Sequence, residues 1–359
     1  MIRLLCAAML ALGGSLIAEA DGPTPEEPSA VEQLPQAAIQ SAFRALRQDY
    51  IHRDRLTFET LNRAALEGLL QDLGTGAELV RRQGPDAATS SPALQGMPLT
   101  QHIGWVRPTA WTTAEVKDLT PTLARWRADG VEDVILDLRQ PAEPVDFEIA
   151  TRWLDLFLPA GEFLFRLRQF GGTQAEQASV SREPAAWEAG LLVLVDADTP
   201  PQAEVIAAVL RARQRALVIG SPTRGATVLY QTTALTDEWA LRFASSEMLL
   251  ADGSSLFQKG LTPDFNVSQT EIEKQQAERF MLQGRVRELV HENPRQRFNE
   301  AALVSGQNPE LGSYLRRSLG QDEPENHPPP RDTILQRAVD LLTARDQLKQ
   351  AAPRIKPAD

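Results

Sequence analysis

Cysteine occurs once, as Cys6, and lysine at five positions only (117, 259, 274, 349 and 356) in a chain of 359 residues. One cysteine excludes an intrachain disulfide and any cysteine-built metal site. The scarcity of lysine leaves few amines for base or Schiff-base chemistry. Arginine is far commoner, but it stays protonated and cannot stand in as a base. Positive charge is short overall: the formal net charge of -11 argues against nucleic acid or an anionic membrane surface as partner. The four histidines, His52, His102, His291 and His327, show no metal spacing, so neither metal nor cofactor is expected. Gly171-Gly172 and the glycine-containing stretch 220–225 lack the G-K-[ST] ending of a phosphate loop. No stretch after the N-terminus is long and apolar enough to cross a membrane.

What is present begins with a secretory pattern. Arg3 supplies a positive charge, residues 4–18 are apolar and small, and Ala18-Glu19-Ala20 is an A-x-A cleavage site before Asp21. Residues 1–20 are therefore expected to be a signal peptide, and the protein to be exported to a periplasm or the exterior. Cys6 leaves with the signal, and thiol catalysis leaves with it. Residues 21–36, rich in Pro, Glu, Ala and Ser, read as a flexible leader.

Residues 37–73 read as helical. Ala38, Phe43, Leu46 and Tyr50 form one apolar face, and Leu61, Ala65, Leu66, Leu69 and Leu70 another. Residues 83–96 read as a polar linker, closing an N-terminal region at 37–96. From 97 to 267, strands (102–108, 134–138, 163–168, 191–195, 216–219, 228–235, 239–244) alternate with helices (114–129, 148–158, 200–213), which signals an α/β core. In the helix at 114–129, Val116, Leu119, Leu123 and Trp126 face inward. Residues 268–359 read as a charged helical segment, with helices at 272–290 and 332–348 and a proline-rich linker at 323–331.

The stretch 190–228 is the best specified. A β-branched apolar run is followed by Thr199, Pro200 and Gln202, which read as N-cap, first-turn proline and capping-box partner of a helix. A second apolar run then leads into P-T-R-G-A-T.

Five segments in order resemble the tail-specific, or C-terminal-processing, serine peptidases. They are ALEGLLQDL (65–73), HIGWVRP (102–108), VILDLRQPAEP (134–144), the stretch 193–228, and SSEMLLADGSSLFQKGLTPDFNV (245–267). The resemblance covers residues 37–267 and implies a crotonase/Clp-protease-like α/β core. Too few residues separate the N-terminal helices from HIGWV for a PDZ domain. It also implies a Ser–Lys dyad, an oxyanion site of backbone N–H groups, and polypeptide segments or C-terminal tails as partners.

Carried over position by position, each role meets the wrong residue. The nucleophile position is Pro201, in T-P-P-Q-A-E where the family has S-A-S-A-x-E; proline has neither hydroxyl nor N–H. Thr199 is the nearest hydroxyl and reads as a cap. The general-base position is Ala226, where the family has P-T-x-G-K-G; Arg224, two residues away, reads as a surface charge, and Lys259 as exposed. The Gly-Gly oxyanion turn falls on Ala142 and Glu143. Side chains there disfavour the backbone angles that glycine permits. A carboxylate about 4 Å from a developing oxyanion, at an effective dielectric of about 20, costs roughly 4 kcal/mol, or about a thousandfold in rate. An auxiliary glutamine of the family falls on Tyr230, with Gln231 beside it.

Other constellations carry less. A triad from His102, Asp137 and Ser221 has no supporting spacing. Asp137 reads as a partner of Arg139 or of a backbone turn, and Glu132-Asp133 as a solvated turn. The six tryptophans are scattered singly, as core or rim residues are. The sequence thus points to an exported pseudopeptidase with a peptide-binding or scaffolding role. The alternatives are an active serine endopeptidase with relocated groups, for which Ser221, Ser254 and Ser255 are the candidates, and a structural partner that docks through residues 268–359.

Overall fold

The computed structural model describes residues 31, 33–82, 94–140, 145–171, 176–291 and 331–351. The chain divides into two compact units at Asp72/Leu73. In the first, α1 (Gln36–Asp49) and α2 (Phe58–Leu73) replace the single helical stretch expected at 37–73. A 3₁₀ turn at Arg53–Arg55 breaks it, and Thr57 restarts it by accepting the Thr60 N–H at 3.2 Å. Neither helix has a buried residue, and Phe43, Leu46, Tyr50, Leu66 and Leu69 are exposed.

The second unit holds two sheets. The strands of the larger are β2 (Gln95–Pro98), β3 (Ile103–Arg107), β4 (Asp133–Asp137), β7 (Gly190–Val195), β8 (Leu217–Gly220) and β11 (Phe265–Asn266). Their order is β11-β8-β7-β4-β3-β2, and every pairing but β2–β3 is parallel. The smaller sheet is antiparallel and built on the long strand β10 (Trp239–Leu249). β10 pairs with β1 (Ala77–Arg81), β9 (Val228–Ala234) and β5 (Phe163–Gln169), and β5 pairs with β6 (Glu176–Val180). The α/β core expected from the alternation is therefore present. β1 and β2 lie in the stretch read as helical region and linker, and β6 was also missed. Their residues (AELVR, QGMP, EQASV) carry little apolar periodicity, because all three strands are short, β1 and β6 are largely solvent-facing and β2 is only half-buried.

The central strands read as unbroken apolar runs because both faces of the larger sheet are covered. Val106, Val134, Leu136, Leu191, Val193, Val195 and Val218 pack with α3 (Thr113–Ala128), α4 (Phe147–Asp155) and α5 (Pro201–Ala212). Ile103, Trp105, Ile135, Leu192, Leu194 and Ile219 face the other way. They pack with α6 (Glu271–Leu282), the 3₁₀ turn Val286–Leu289 and α7 (Thr333–Ala351). On α3, Leu119, Leu123 and Trp126 are buried as expected, and Val116 is half-buried against the same core.

One sequence expectation is reversed. Asp133 is not in a solvated turn: it is fully buried on β4, and its Oδ1 accepts Arg345 Nη1 of α7 at 2.8 Å. The neighbouring Glu132 offered a misleading context, and the partner lies 212 residues away. Among the described residues no helix is long and apolar enough to cross a membrane.

Candidate active site

The turns that follow β3, β4, β7 and β8 lie side by side at the carboxyl ends of parallel strands, where open α/β sheets place their ligands. After β7 the chain makes a turn closed by its own side chains. Thr199 Oγ1 accepts the Asp196 N–H at 2.9 Å, and Asp196 Oδ1 accepts the Asp198 N–H at 2.9 Å. Helix α5 then begins at Pro201, with Pro200 as N-cap in an extended conformation (φ -72, ψ 159). This corrects the expected cap by one residue. Thr199 is turned back onto Asp196, and at 5% exposure its hydroxyl is no candidate nucleophile.

Pro201 is half-buried at the first helical position, where a missing N–H costs nothing. That position also carries no hydroxyl. Gln202 beside it is fully buried, and neither its Nε2 nor its Oε1 has a hydrogen-bond partner among the described residues.

The turn after β8 is held from beneath. Glu204, on α5, accepts the Gly225 N–H at 2.7 Å and the Ala226 N–H at 2.8 Å. Burial pushes the Glu204 carboxyl above its ordinary pKa, and the bonds from Thr223, Gly225 and Ala226 offset only part of that. Gly225 has φ +70, and a Cβ there would sit 2.3 Å from Leu256 O. Ala226 itself is half-buried and offers a methyl group where the resemblance requires an amine.

The cations nearest in sequence do not replace that amine. Arg224 Nη2 pairs with Asp198 Oδ1 at 2.6 Å, and Lys259 is exposed. Lys274, on α6, was singled out only as one of few lysines. It lies against the turn after β7, with Nζ 2.5 Å from both Asp196 Oδ2 and Asp198 Oδ2. Burial works against its charge, but the bonds and charges of the two aspartates outweigh burial and raise its pKa. A lysine so held favours its charged form, which works against a role as general base. Its partners, Asp196 and Asp198, were visible in the sequence, but nothing there tied them to a residue 78 and 76 positions on.

After β4, Arg139 donates from Nε to Asp137 Oδ1 at 2.8 Å and from Nη2 to Asp332 Oδ2 at 2.7 Å. All three side chains are buried. Burial alone would raise the Asp137 pKa; the adjacent guanidinium outweighs it and holds the carboxyl below its usual range. The expected Asp137–Arg139 pair is thus present. Ala142 and Glu143 lie outside the described residues.

The remaining candidates disperse. Asp137 also accepts Trp105 Nε1 at 3.2 Å, while His102 is exposed with Nδ1 3.4 Å from Gly130 O, so no triad assembles from them. Ser221 is half-buried and its N–H donates to Val195 O at 3.2 Å. Ser254 Oγ donates to Asp252 Oδ1 at 2.6 Å, and Ser255 Oγ accepts the Phe257 N–H at 3.0 Å. Tyr230 donates its hydroxyl to Thr75 O at 2.8 Å, and the Arg242 guanidinium lies 4.1 Å from its ring centroid. Gln231 is exposed. Among the described residues no group of three or more His, Cys, Asp or Glu could hold a metal ion.

Residues 102–267 match the model of peptidase family S41. A "Probable CtpA-like serine protease" of Staphylococcus aureus (strain COL) is 27% identical over 157 residues, 44% of this chain and 31% of that protein. The protein of the same name from Staphylococcus haemolyticus is 24% identical over 152 residues, 42% of this chain and 30% of that one. The match thus spans about a third of the length of these relatives. Among solved structures, the photosystem II D1 C-terminal processing protease is similar with 19% identity and a TM-score of 0.40, over 54% of this chain and 48% of that one. It is thus residues 102–267 of this chain, from β3 to β11, that are similar to peptidase family S41.

Proposed function

We propose that this chain is an exported homologue of tail-specific serine endopeptidases that has kept the core and lost the hydrolysis. On this reading the turns after β4, β7 and β8 bind or scaffold polypeptide segments. One observation carries it: the first position of α5 and the turn it braces hold Pro201 and Ala226, each in a well-formed local structure with no hydroxyl and no amine. The purified protein is expected neither to cleave casein nor to be labelled by serine-directed acylating probes. Saturable labelling of any hydroxyl would overturn the proposal. Pro201→Ser combined with Ala226→Lys tests the register directly, because cleavage by the double variant would identify both positions.

A second reading, an active endopeptidase with relocated groups, has one contact in its favour: Ser254 Oγ is 2.6 Å from Asp252 Oδ1. The pair is exposed and two residues apart. The Ser254 hydroxyl and N–H both donate to Asp252 and lower its pKa, which makes it a weaker base. Probe labelling mapped to Ser254 would favour this second reading.

A further inference from the structure

We infer that Lys274 and Asp332, both beyond the family match, are positioning residues of an ionic clamp that sets the turns of the candidate site from behind. Three neighbouring strand ends share one pattern. Arg107 closes β3, Arg139 follows β4 and Asp196 follows β7. Each meets an opposite charge from the C-terminal segment: Glu278 at 3.2 Å, Asp332 at 2.7 Å and Lys274 at 2.5 Å respectively.

These pairs do not read as generic stabilisers. Buried ion pairs stabilise little relative to apolar packing, but they are directional, and losing one partner strands the other. Arg107, Arg139, Asp137, Asp196 and Asp332 are all at most 6% exposed. The contacts converge on turns and not on the middle of the sheet. Lys274 grips both Asp196 and Asp198, the two acids that flank the turn before Pro201. Asp198 passes the constraint on to Arg224, in the turn of Ala226. Asp332 takes Arg139 with both oxygens, Nη1 at 3.0 Å and Nη2 at 2.7 Å, immediately before the stretch 141–144. Removing the C-terminal segment would therefore release the turns after β3, β4 and β7, but it would also uncover the apolar face that α6 and α7 cover, so single substitutions are the cleaner test. The functional weight of the clamp rests on the reading above, that these turns form the polypeptide-binding surface.

Hydrogen exchange of the full-length protein tests the clamp without needing a ligand. Lys274→Met is expected to speed exchange about tenfold or more in residues 196–204 and 222–227, with α3 and α4 unchanged. Lys274→Arg restores protection. Asp332→Asn does the same for residues 138–140 and 145–147. Unchanged exchange, an increase spread evenly over the core, or no rescue by arginine would overturn the inference. Should Asp332→Asn fail to fold, Lys274→Met carries the test alone, since that side chain is 22% exposed at the edge of the segment. Binding of casein-derived peptides is measured in parallel. If the wild type binds none, the proposed function fails while the exchange result still decides the clamp.

Discussion

Glu204 holds Ala226 by its backbone: one carboxylate oxygen takes the Ala226 N–H at 2.8 Å, and the other takes the N–H of Gly225 at 2.7 Å. The brace fixes the turn where the resemblance places a lysine, although no lysine is there. Glu204→Ala would leave two N–H groups without their acceptor. The expected cost is about 2–4 kcal/mol in urea unfolding, from roughly 1–2 kcal/mol per unmet group.

The same carboxylate gives a pH signature. Its folded pKa is raised above the ordinary 4.5, chiefly by burial. Its contribution is fully present below the ordinary value and is lost as pH rises through the raised one, because the folded state then binds more protons than the unfolded. Stability measured from pH 4 upward should therefore fall more for the wild type than for Glu204→Gln. A difference between the two that stays flat across pH would refute the assignment.

Asp332 does two jobs that substitutions separate. Its Oδ1 accepts the Ile334 and Leu335 N–H groups at 3.1 and 2.9 Å, capping α7, and both oxygens hold Arg139. Asp332→Asn keeps a cap but removes one of the two carboxylates that hold the buried guanidinium, leaving Asp137 as its charged partner, at an expected cost of about 2 kcal/mol. Asp332→Ala loses the cap as well, for about 1 kcal/mol more. Equal midpoints in chemical denaturation would show that the charge, or the cap, contributes nothing.

Gly225→Ala should be among the most damaging small substitutions. The backbone is left-handed there, and the added methyl would lie 2.3 Å from Leu256 O and 2.4 Å from Gly260 N, both rigid main-chain atoms. A loss of about 3 kcal/mol or more is expected in thermal or urea unfolding. Gly253→Ala is the control: its φ is also positive (+82), but nothing lies within 4 Å of the added Cβ. It should cost only about 1 kcal/mol.

Leu335→Ala probes the second core, where α7 meets the sheet. Leu335 is fully buried beside Ile135 and Leu194. A loss of about 2–5 kcal/mol is expected. A loss under about 0.5 kcal/mol would mean that α7 is not packed there.

The sheet, its covering helices and the positions of Pro201 and Ala226 were legible because each is written locally. Buried parallel strands show as apolar runs, and helix starts show as caps and prolines. What escaped was written at long range. Strands β1 and β6 take their place from pairing with β10 and β5, not from their own residues. Asp133 looked like a surface acid because its partner, Arg345, is near the other end of the chain. Lys274 and Asp332 were illegible for the same reason: a charge carries no mark of which distant charge it will meet. The one-residue error at α5 came from Thr199, whose hydroxyl accepts the upstream Asp196 N–H and does not cap the helix.

The position of α7 bears on when the protein can become itself. Ile334, Leu335, Ala338, Val339 and Leu342 complete a core that also contains Trp105, Ile135 and Leu194. A nascent chain cannot bury that side of its sheet until residues 334–342 have left the ribosome. A polypeptide destined to cross a membrane unfolded, as we propose for this one, gains from such a delay: the segment that seals the fold arrives long after the strands it covers.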